Sequence, residues 1–160
     1  MPSLDSEVAA PLAQLDALAQ RAEVGALLDR YLLSLDENRI DDAWSRSIFT
    51  ADARVEFPVS HHEGVDGLAT YHRAALAKFE RTQHLNSGAV IDVDGDRATV
   101  RANLISTHVH RPAAAPPGTD RAPLFTTGTY VEGEARRTAH GWRFRRLSFR
   151  LVWVTGSPPQ

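Results

Sequence analysis

An α+β domain is the fold class that this sequence predicts, with helices first and a mostly antiparallel sheet after them. Three observations carry that expectation. Apolar residues recur at helical spacing through the first third of the chain, the period changes to two at Arg54, and the remainder consists of strand-length segments separated by turn residues. Strands joined by hairpins rather than by crossover helices point away from βαβ winding.

Taken in order, Pro11 can sit in a first helical turn. Leu12, Leu15, Leu18 and Ala19, then Val24, Leu27, Leu28, Tyr31 and Leu35, follow at helical spacing, as one helix or as two broken near Gln20 and Arg21. The connector runs from Asp36 to Ile40, and Asp41 fits the N-cap of a short helix burying Ala43, Trp44, Ile48 and Phe49. Val55, Phe57 and Val59 alternate with polar neighbours as in a half-buried strand, and Pro58 places that strand at an edge. Gly64 to Gly67 marks a turn, after which Asp66 can cap a third helix presenting Leu68, Tyr71, Ala75, Leu76 and Phe79 on one side. Gln83 to Val93 and Arg97 to Val109 flank the hairpin turn Asp94-Gly95-Asp96. Four prolines make a loop of residues 111–123, and Leu124 to Arg137 then pairs through Thr138 to Gly141 with Trp142 to Val154.

With 160 residues the chain suits one domain, residues 1–160, with residues 1–10 and 155–160 as frayed tails. Its 42% hydrophobic and 24% charged residues argue against disorder. A net charge of -2 offers no basic face for nucleic acid. The absence of cysteine removes disulfides, thiolate metal sites and a cysteine nucleophile. The acidic first residues do not read as a secretory signal and no run reaches membrane-span length, so a cytoplasmic address without membrane contact is expected.

Four stretches then carry a family resemblance. They are Leu28-Asp29-Arg30-Tyr31 with Asp36 and Asp41; Ile48-Phe49-Thr50-Ala51-Asp52-Ala53; Gln83-His84-Leu85 with Val93-Asp94-Gly95-Asp96-Arg97-Ala98; and Gly128-Thr129-Tyr130 with Arg137-Thr138 and Gly141-Trp142-Arg143-Phe144. Their order and spacing resemble the SnoaL-like branch of the nuclear transport factor 2 superfamily. That resemblance implies a conical barrel, a strongly curved sheet wrapped around N-terminal helices, whose open end makes a small-molecule pocket. It is nearest in pattern to the scytalone dehydratase, bile acid dehydratase and polyketide cyclase group, and the resemblance to scytalone dehydratase, bile acid dehydratase and hexachlorocyclohexane dehydrochlorinase implies a helix-end aspartate paired with a strand histidine. Asp36 and His84 fall on those positions, and Tyr31 matches a tyrosine near the substrate oxygen. Gly88 replaces the asparagine found in many relatives four residues beyond the histidine, with Asn86 nearby. The strand from Arg97 to Val109 offers Asn103, Ser106, Thr107 and His108 but no second carboxylate.

The expected chemistry is proton transfer without a cofactor, by a dehydratase, isomerase or cyclase acting on a hydrophobic oxygenated molecule such as a polyketide-type metabolite. His84 is the base because imidazole titrates near neutrality, Asp36 orients it, and Tyr31 donates to a developing oxyanion. Trp44, Phe57, Asn86, Tyr130 and Arg146 are the expected substrate contacts. Each role has a structural counterpart: Asp36 as a turn cap, His84 as a satisfied sheet histidine, Tyr31 as a core tyrosine, and the arginines at 143, 145, 146 and 150 as a solvated outer face. The adjacent histidines of His61-His62-Glu63 point apart, the pair in His108-Val109-His110 needs a third ligand and a second shell to hold zinc, and no metal is expected. Residues 111–118 can form a lid or a long hairpin loop. The alternative function is a noncatalytic ligand-binding or assembly module, including a dioxygenase β-subunit-like role, with Leu147, Phe149, Leu151 and Trp153 exposed on the outer sheet. A homodimer formed through the sheet is expected under either function.

Overall fold

In the computed structural model, residues 4–111 and 124–159 are described. They form α1 (Leu4–Asp36), α2 (Asp42–Ile48), β1 (Phe49–Phe57), β2 (Ser60–Glu63), α3 (Leu68–Leu76), β3 (Phe79–Asn86), β4 (Val90–Asp94), β5 (Arg97–His110), β6 (Leu124–Thr138) and β7 (Gly141–Thr155). All seven strands join one sheet in the order β2-β1-β7-β6-β5-β3, and β4 also pairs with β5. Only β1 and β7 run parallel. The sheet is curved but open, so the expected barrel is not closed. The segment expected to be one strand from Gln83 is two, because the chain leaves the ladder at Ser87, Gly88 and Ala89 before β4 resumes it.

α1 is continuous through Gln20 and contains Pro11 in its interior rather than in its first turn. Residues 4–10 are therefore helix and not a frayed tail. The helix changes character along its length. Val24, Leu27, Leu28, Tyr31, Leu32 and Leu35 are buried on one stripe, whereas Leu12, Leu15 and Leu18, expected to share that burial, are exposed. At the other terminus the tail is held: the His110 ring donates from Nε2 to the Ser157 carbonyl at 2.8 Å.

Asp41 caps α2 as expected, its side chain accepting from the Trp44 amide at 2.7 Å. Trp44, Ile48 and Phe49 are buried, but Ala43 is exposed. α3 buries Leu68, Ala69 and His72 and packs Tyr71 and Leu76 partly against the core, whereas Ala75 is exposed and Phe79 belongs to β3. Its N-cap is Gly67 at φ 77°, not Asp66, whose carboxylate pairs with Arg46 at 2.8 Å. Val59 lies in the turn after β1 and is almost wholly exposed.

The core fills the space between the concave sheet face and the helices. At its centre Tyr31 contacts Trp44, Phe49, His72 and Phe149 with ring centroids 5.7–6.1 Å apart. Burying each large apolar side chain there stabilises the fold by about 1.5–3 kcal/mol. A polar chain runs through this cluster. His72 Nδ1 lies 2.9 Å from the Leu68 carbonyl, which can only accept, so Nδ1 carries the proton. Nε2 is therefore bare and accepts from the Tyr31 hydroxyl at 3.0 Å. Burial pushes the Tyr31 hydroxyl far above its usual range, with Tyr71 adding to the effect. Burial also brings His72 down to about 4, although the Leu68 carbonyl pulls the other way.

Two outcomes follow from this buried chain. Tyr31→Phe leaves a buried imidazole nitrogen without its donor and lowers the unfolding free energy by about 1–3 kcal/mol in urea titration. His72 is folded in its neutral form, so its contribution is intact above its unfolded pKa of about 6.5 and is lost as pH falls toward 4. Between pH 7 and pH 4 the wild type should lose about 3 kcal/mol through this residue, a slope that His72→Gln removes.

Candidate active site

The position of Asp36 is set by how α1 stops. Asn38 adopts the left-handed conformation at φ 54°, the Arg39 amide bonds the Ser34 carbonyl at 3.0 Å, and the Asn38 amide bonds the Leu35 carbonyl at 3.3 Å. This is a Schellman termination, with asparagine in the place usually given to glycine. It makes Asp36 the last helical residue and satisfies the local backbone without its side chain. A carboxylate at the negative end of a helix dipole is disfavoured by a few tenths of a kcal/mol to about 1 kcal/mol.

Three donors from β3 offset that placement. The His84 ring meets Asp36 Oδ1 from Nδ1 at 2.6 Å, the Thr82 hydroxyl donates to the same oxygen at 2.9 Å, and the His84 amide donates to Oδ2 at 2.9 Å. Burial raises the Asp36 carboxyl pKa, but the ring and amide bonds from His84, its charge and the Thr82 bond together hold it below the usual value. The carboxylate caps no turn. It fixes the imidazole, and the His84 side chain is only 7% exposed.

His84 lines a cavity of about 130 Å³ on the concave side of the sheet. Register explains its polar wall. His84 pairs with Ser106, and Ser106 with Thr127, so the three share one row across β3, β5 and β6. His108 and Thr129 lie two residues along from that row, on the same face, and also line the cavity. Tyr31, Leu35, Phe57, Pro58, Leu104 and Phe149 form the apolar side, where Phe57 and Phe149 stack at 4.8 Å. With Nδ1 engaged by Asp36, Nε2 is the nitrogen of His84 left without a partner among the described residues. His108 is arranged alike: its Nδ1 donates to the Phe125 carbonyl at 3.0 Å, and its ring meets that of His84 edge to face at 5.8 Å. Burial lowers the His108 pKa and the nearby His84 lowers it further, against the Phe125 carbonyl and Asp36, which raise it. Thr129 Oγ1 is buried with no partner among the described residues.

The sequence-derived positions separate into those gathered here and those placed elsewhere. Asp36, His84 and Phe57 are brought together. Tyr31 lends its ring to the cavity, but its one hydroxyl hydrogen is already given to His72, which corrects the expected donation to substrate. Trp44 stands behind Tyr31 and does not line the cavity. Asn86 turns to Asp29 at 3.3 Å, on the outside of α1. Tyr130 and Arg146 occupy the opposite sheet face, Tyr130 beneath Arg150 and Arg146 bonded to Glu56 at 2.8 Å. Leu147 and Phe149, expected outside, are buried inside. Sequence reasoning passed over Ser106, His108, Thr127 and Thr129 as site residues. Two-residue alternation with buried Leu104 and Val131 was the signal that placed them inward. No group of three or more His, Asp or Glu is arranged to hold a metal among the described residues, where no helix is long and apolar enough to cross a membrane. The lid or hairpin expected at residues 111–118 lies, but for Arg111, outside them.

No curated protein matches the sequence. Solved structures do match the fold. The Kfla4162 protein from Kribbella flavida is 26% identical, with a TM-score of 0.78 over 87% of this chain and 95% of its own. A Novosphingobium aromaticivorans protein described as a scytalone dehydratase is 20% identical, with a TM-score of 0.74 over 90% of this chain and 91% of its own. A hexachlorocyclohexane dehydrochlorinase from Novosphingobium barchaimii is 17% identical, with a TM-score of 0.74 over 90% of this chain and 94% of its own. The sequence itself matches the SnoaL-like domain across residues 16–148, nearly the whole of the described fold, and the chain belongs to that family.

Proposed function

We propose that the chain is an acid/base enzyme of the lyase or isomerase type, acting on a hydrophobic oxygenated small molecule such as a polyketide-type metabolite. The observation that carries this is the 2.6 Å contact between His84 Nδ1 and Asp36 Oδ1, in a histidine that lines a cavity of about 130 Å³. Dehydratase-type neighbours of the same fold support the reaction class. A cavity of about 130 Å³ suits a substrate portion near one six-membered ring, since a void of roughly 150 Å³ accepts benzene.

In the proposed reaction His84 Nε2 removes a proton from a carbon beside an electron-withdrawing group. The electron pair moves onto the substrate oxygen, where the hydroxyls of Ser106, Thr127 and Thr129 are the available donors. In an elimination the pair then returns to form the double bond as a neighbouring C–O bond breaks. The imidazolium gives its proton to the departing hydroxide, which leaves as water. In an isomerisation the same proton goes back to a different carbon. Asp36 holds the tautomer and stabilises the transient imidazolium, as a carboxylate does behind a catalytic histidine. His108 presents a second nitrogen without a partner among the described residues, and burial lowers its pKa.

Hydroxylated cyclic ketones incubated in deuterated water provide the test, read by mass spectrometry for exchange at carbon and for loss of water. The wild type should turn over at least one such compound, and His84→Gln should lower kcat/KM by about 10²–10⁴-fold. Full activity of His84→Gln on that compound would reject the assignment. Asp36→Asn should lower kcat by a comparable factor with KM little changed. The same variant has a stability signature. The Asp36 contribution is present above its unfolded pKa of about 3.9 and fades as pH falls through the lowered folded value. The Tm gap between wild type and Asp36→Asn should therefore be constant near neutrality and close below about pH 4.

A further inference from the structure

The first half of α1 is the least explained part of the molecule. Twelve consecutive residues, Val8 to Ala19, are exposed, a rod about 18 Å long that touches none of the core. Helices of this length are marginal in water without a packed face, and Pro11 removes one of the rod's hydrogen bonds. Yet the rod carries an apolar stripe: Val8, Leu12, Leu15 and Leu18 are 52–63% exposed. At 100° per residue this stripe lies on the side of the helix opposite Val24, Leu28 and Leu35, so it turns away from the core of its own chain.

A second unpartnered apolar surface lies on the outer face of the sheet. Leu85 pairs with Ile105, Ile105 with Gly128, and Gly128 with Trp153, one straight row across β3, β5, β6 and β7. Gly128 has a reason to be glycine, because a Cβ there would meet the Trp153 indole at once. The indole thus lies flat in the row, and Leu85, Ile105 and Trp153 are each exposed. Beside the row is a depression of about 360 Å³, lined by Ser87, Gly88, Val90, Arg101, Tyr130 and Arg150 among others. Its charged lining residues are two arginines and one glutamate, Glu132. The exposed stretch from Val8 to Ala19 has the opposite sign, with Asp16 and no basic residue.

We propose that the Val8–Ala19 arm of one copy docks across the Leu85–Ile105–Trp153 row of a second copy, in a reciprocal pair. A two-fold arrangement makes the same contact twice. Two arms and the two strips of sheet that they cover bury on the order of 1,000 Å², the lower bound for stable association. The leucines fill the apolar row and the depression, and the arm's one acid, Asp16, is drawn to the side of Arg101 and Arg150. This differs from packing two sheets directly on each other, because the helix lies between them.

The absence of cysteine makes the contact testable. Leu15→Cys and Ile105→Cys change exposed side chains only, and each variant is purified, checked by circular dichroism, then treated with a short bis-maleimide alone or mixed with the other. Wild type should run at twice its 17.6 kDa mass by light scattering, and cross-linked dimer should appear in the mixture but in neither variant alone. Leu15→Lys should release monomer with an unchanged sheet signature. A monomeric wild type would overturn the proposal, as would cross-linking of Ile105→Cys alone, which reports sheet against sheet. Cross-linking of Leu15→Cys alone reports arm against arm and overturns it equally. So would a cross-link found only within a chain carrying both substitutions, which reports an arm folded onto its own sheet.

Discussion

A carboxylate at the wrong end of a helix organises this molecule. Asp36 sits where the α1 dipole is least hospitable to negative charge, and it is held there by two hydroxyl or ring donors and one backbone amide from a single strand. Those three bonds tie the C-terminus of α1 to β3. Because β3 in turn pairs with β5 and β5 with β6, the helix end fixes which side chains of three strands look into the cavity. Removing the charge would spare the helix an unfavourable terminus but leave the imidazole and an edge-strand amide unanswered.

Around that junction the interior divides its work. In the aromatic cluster of Tyr31, Trp44, Phe49, His72 and Phe149, the Tyr31 hydroxyl and both His72 nitrogens are taken up by each other and the Leu68 carbonyl. One layer away, the sheet wall of the cavity carries the hydroxyls of Ser106, Thr127 and Thr129 and the imidazoles of His84 and His108. Tyr31 belongs to both regions: its ring is cavity wall, while its hydroxyl is core. A ligand in the cavity is thus bounded by apolar rings on one side and by hydroxyls and imidazoles on the other, which sets its orientation before any chemistry begins.

Periodicity made the order of helices and strands legible, and the β5, β6 and β7 boundaries needed almost no revision. Asp36 and His84 were readable only through family resemblance, since nothing local in either residue distinguishes a dyad from a helix cap and a sheet histidine. Arg146 shows where counting by twos fails. Glu134 pairs with Arg146 and Ala135 with Phe144, so Arg145 is an extra residue in β7, and this bulge puts Phe144 and Arg146 on opposite faces. His108 was passed over for a different reason. Its spacing from His110 invited a metal reading, whereas the two rings have separate partners, the Phe125 carbonyl and the Ser157 carbonyl. The exposed leucines of α1 satisfy helical periodicity perfectly, but a period says only that a face exists and not what covers it.

The bond from the His84 amide to Asp36 also bears on how the sheet ends. β3 ends its row of the sheet, and an end strand offers unpaired amides that invite another chain to add alongside and continue the ladder into an aggregate. Here one of those amides is taken by a carboxylate, and α1 lies against the strand. An incoming strand would have to displace a helix and strip a negative charge of its donors before its first hydrogen bond could form. The same residue that orients the proposed base is in this sense a guard on the sheet's open end, so its loss should be felt in solubility as well as in turnover.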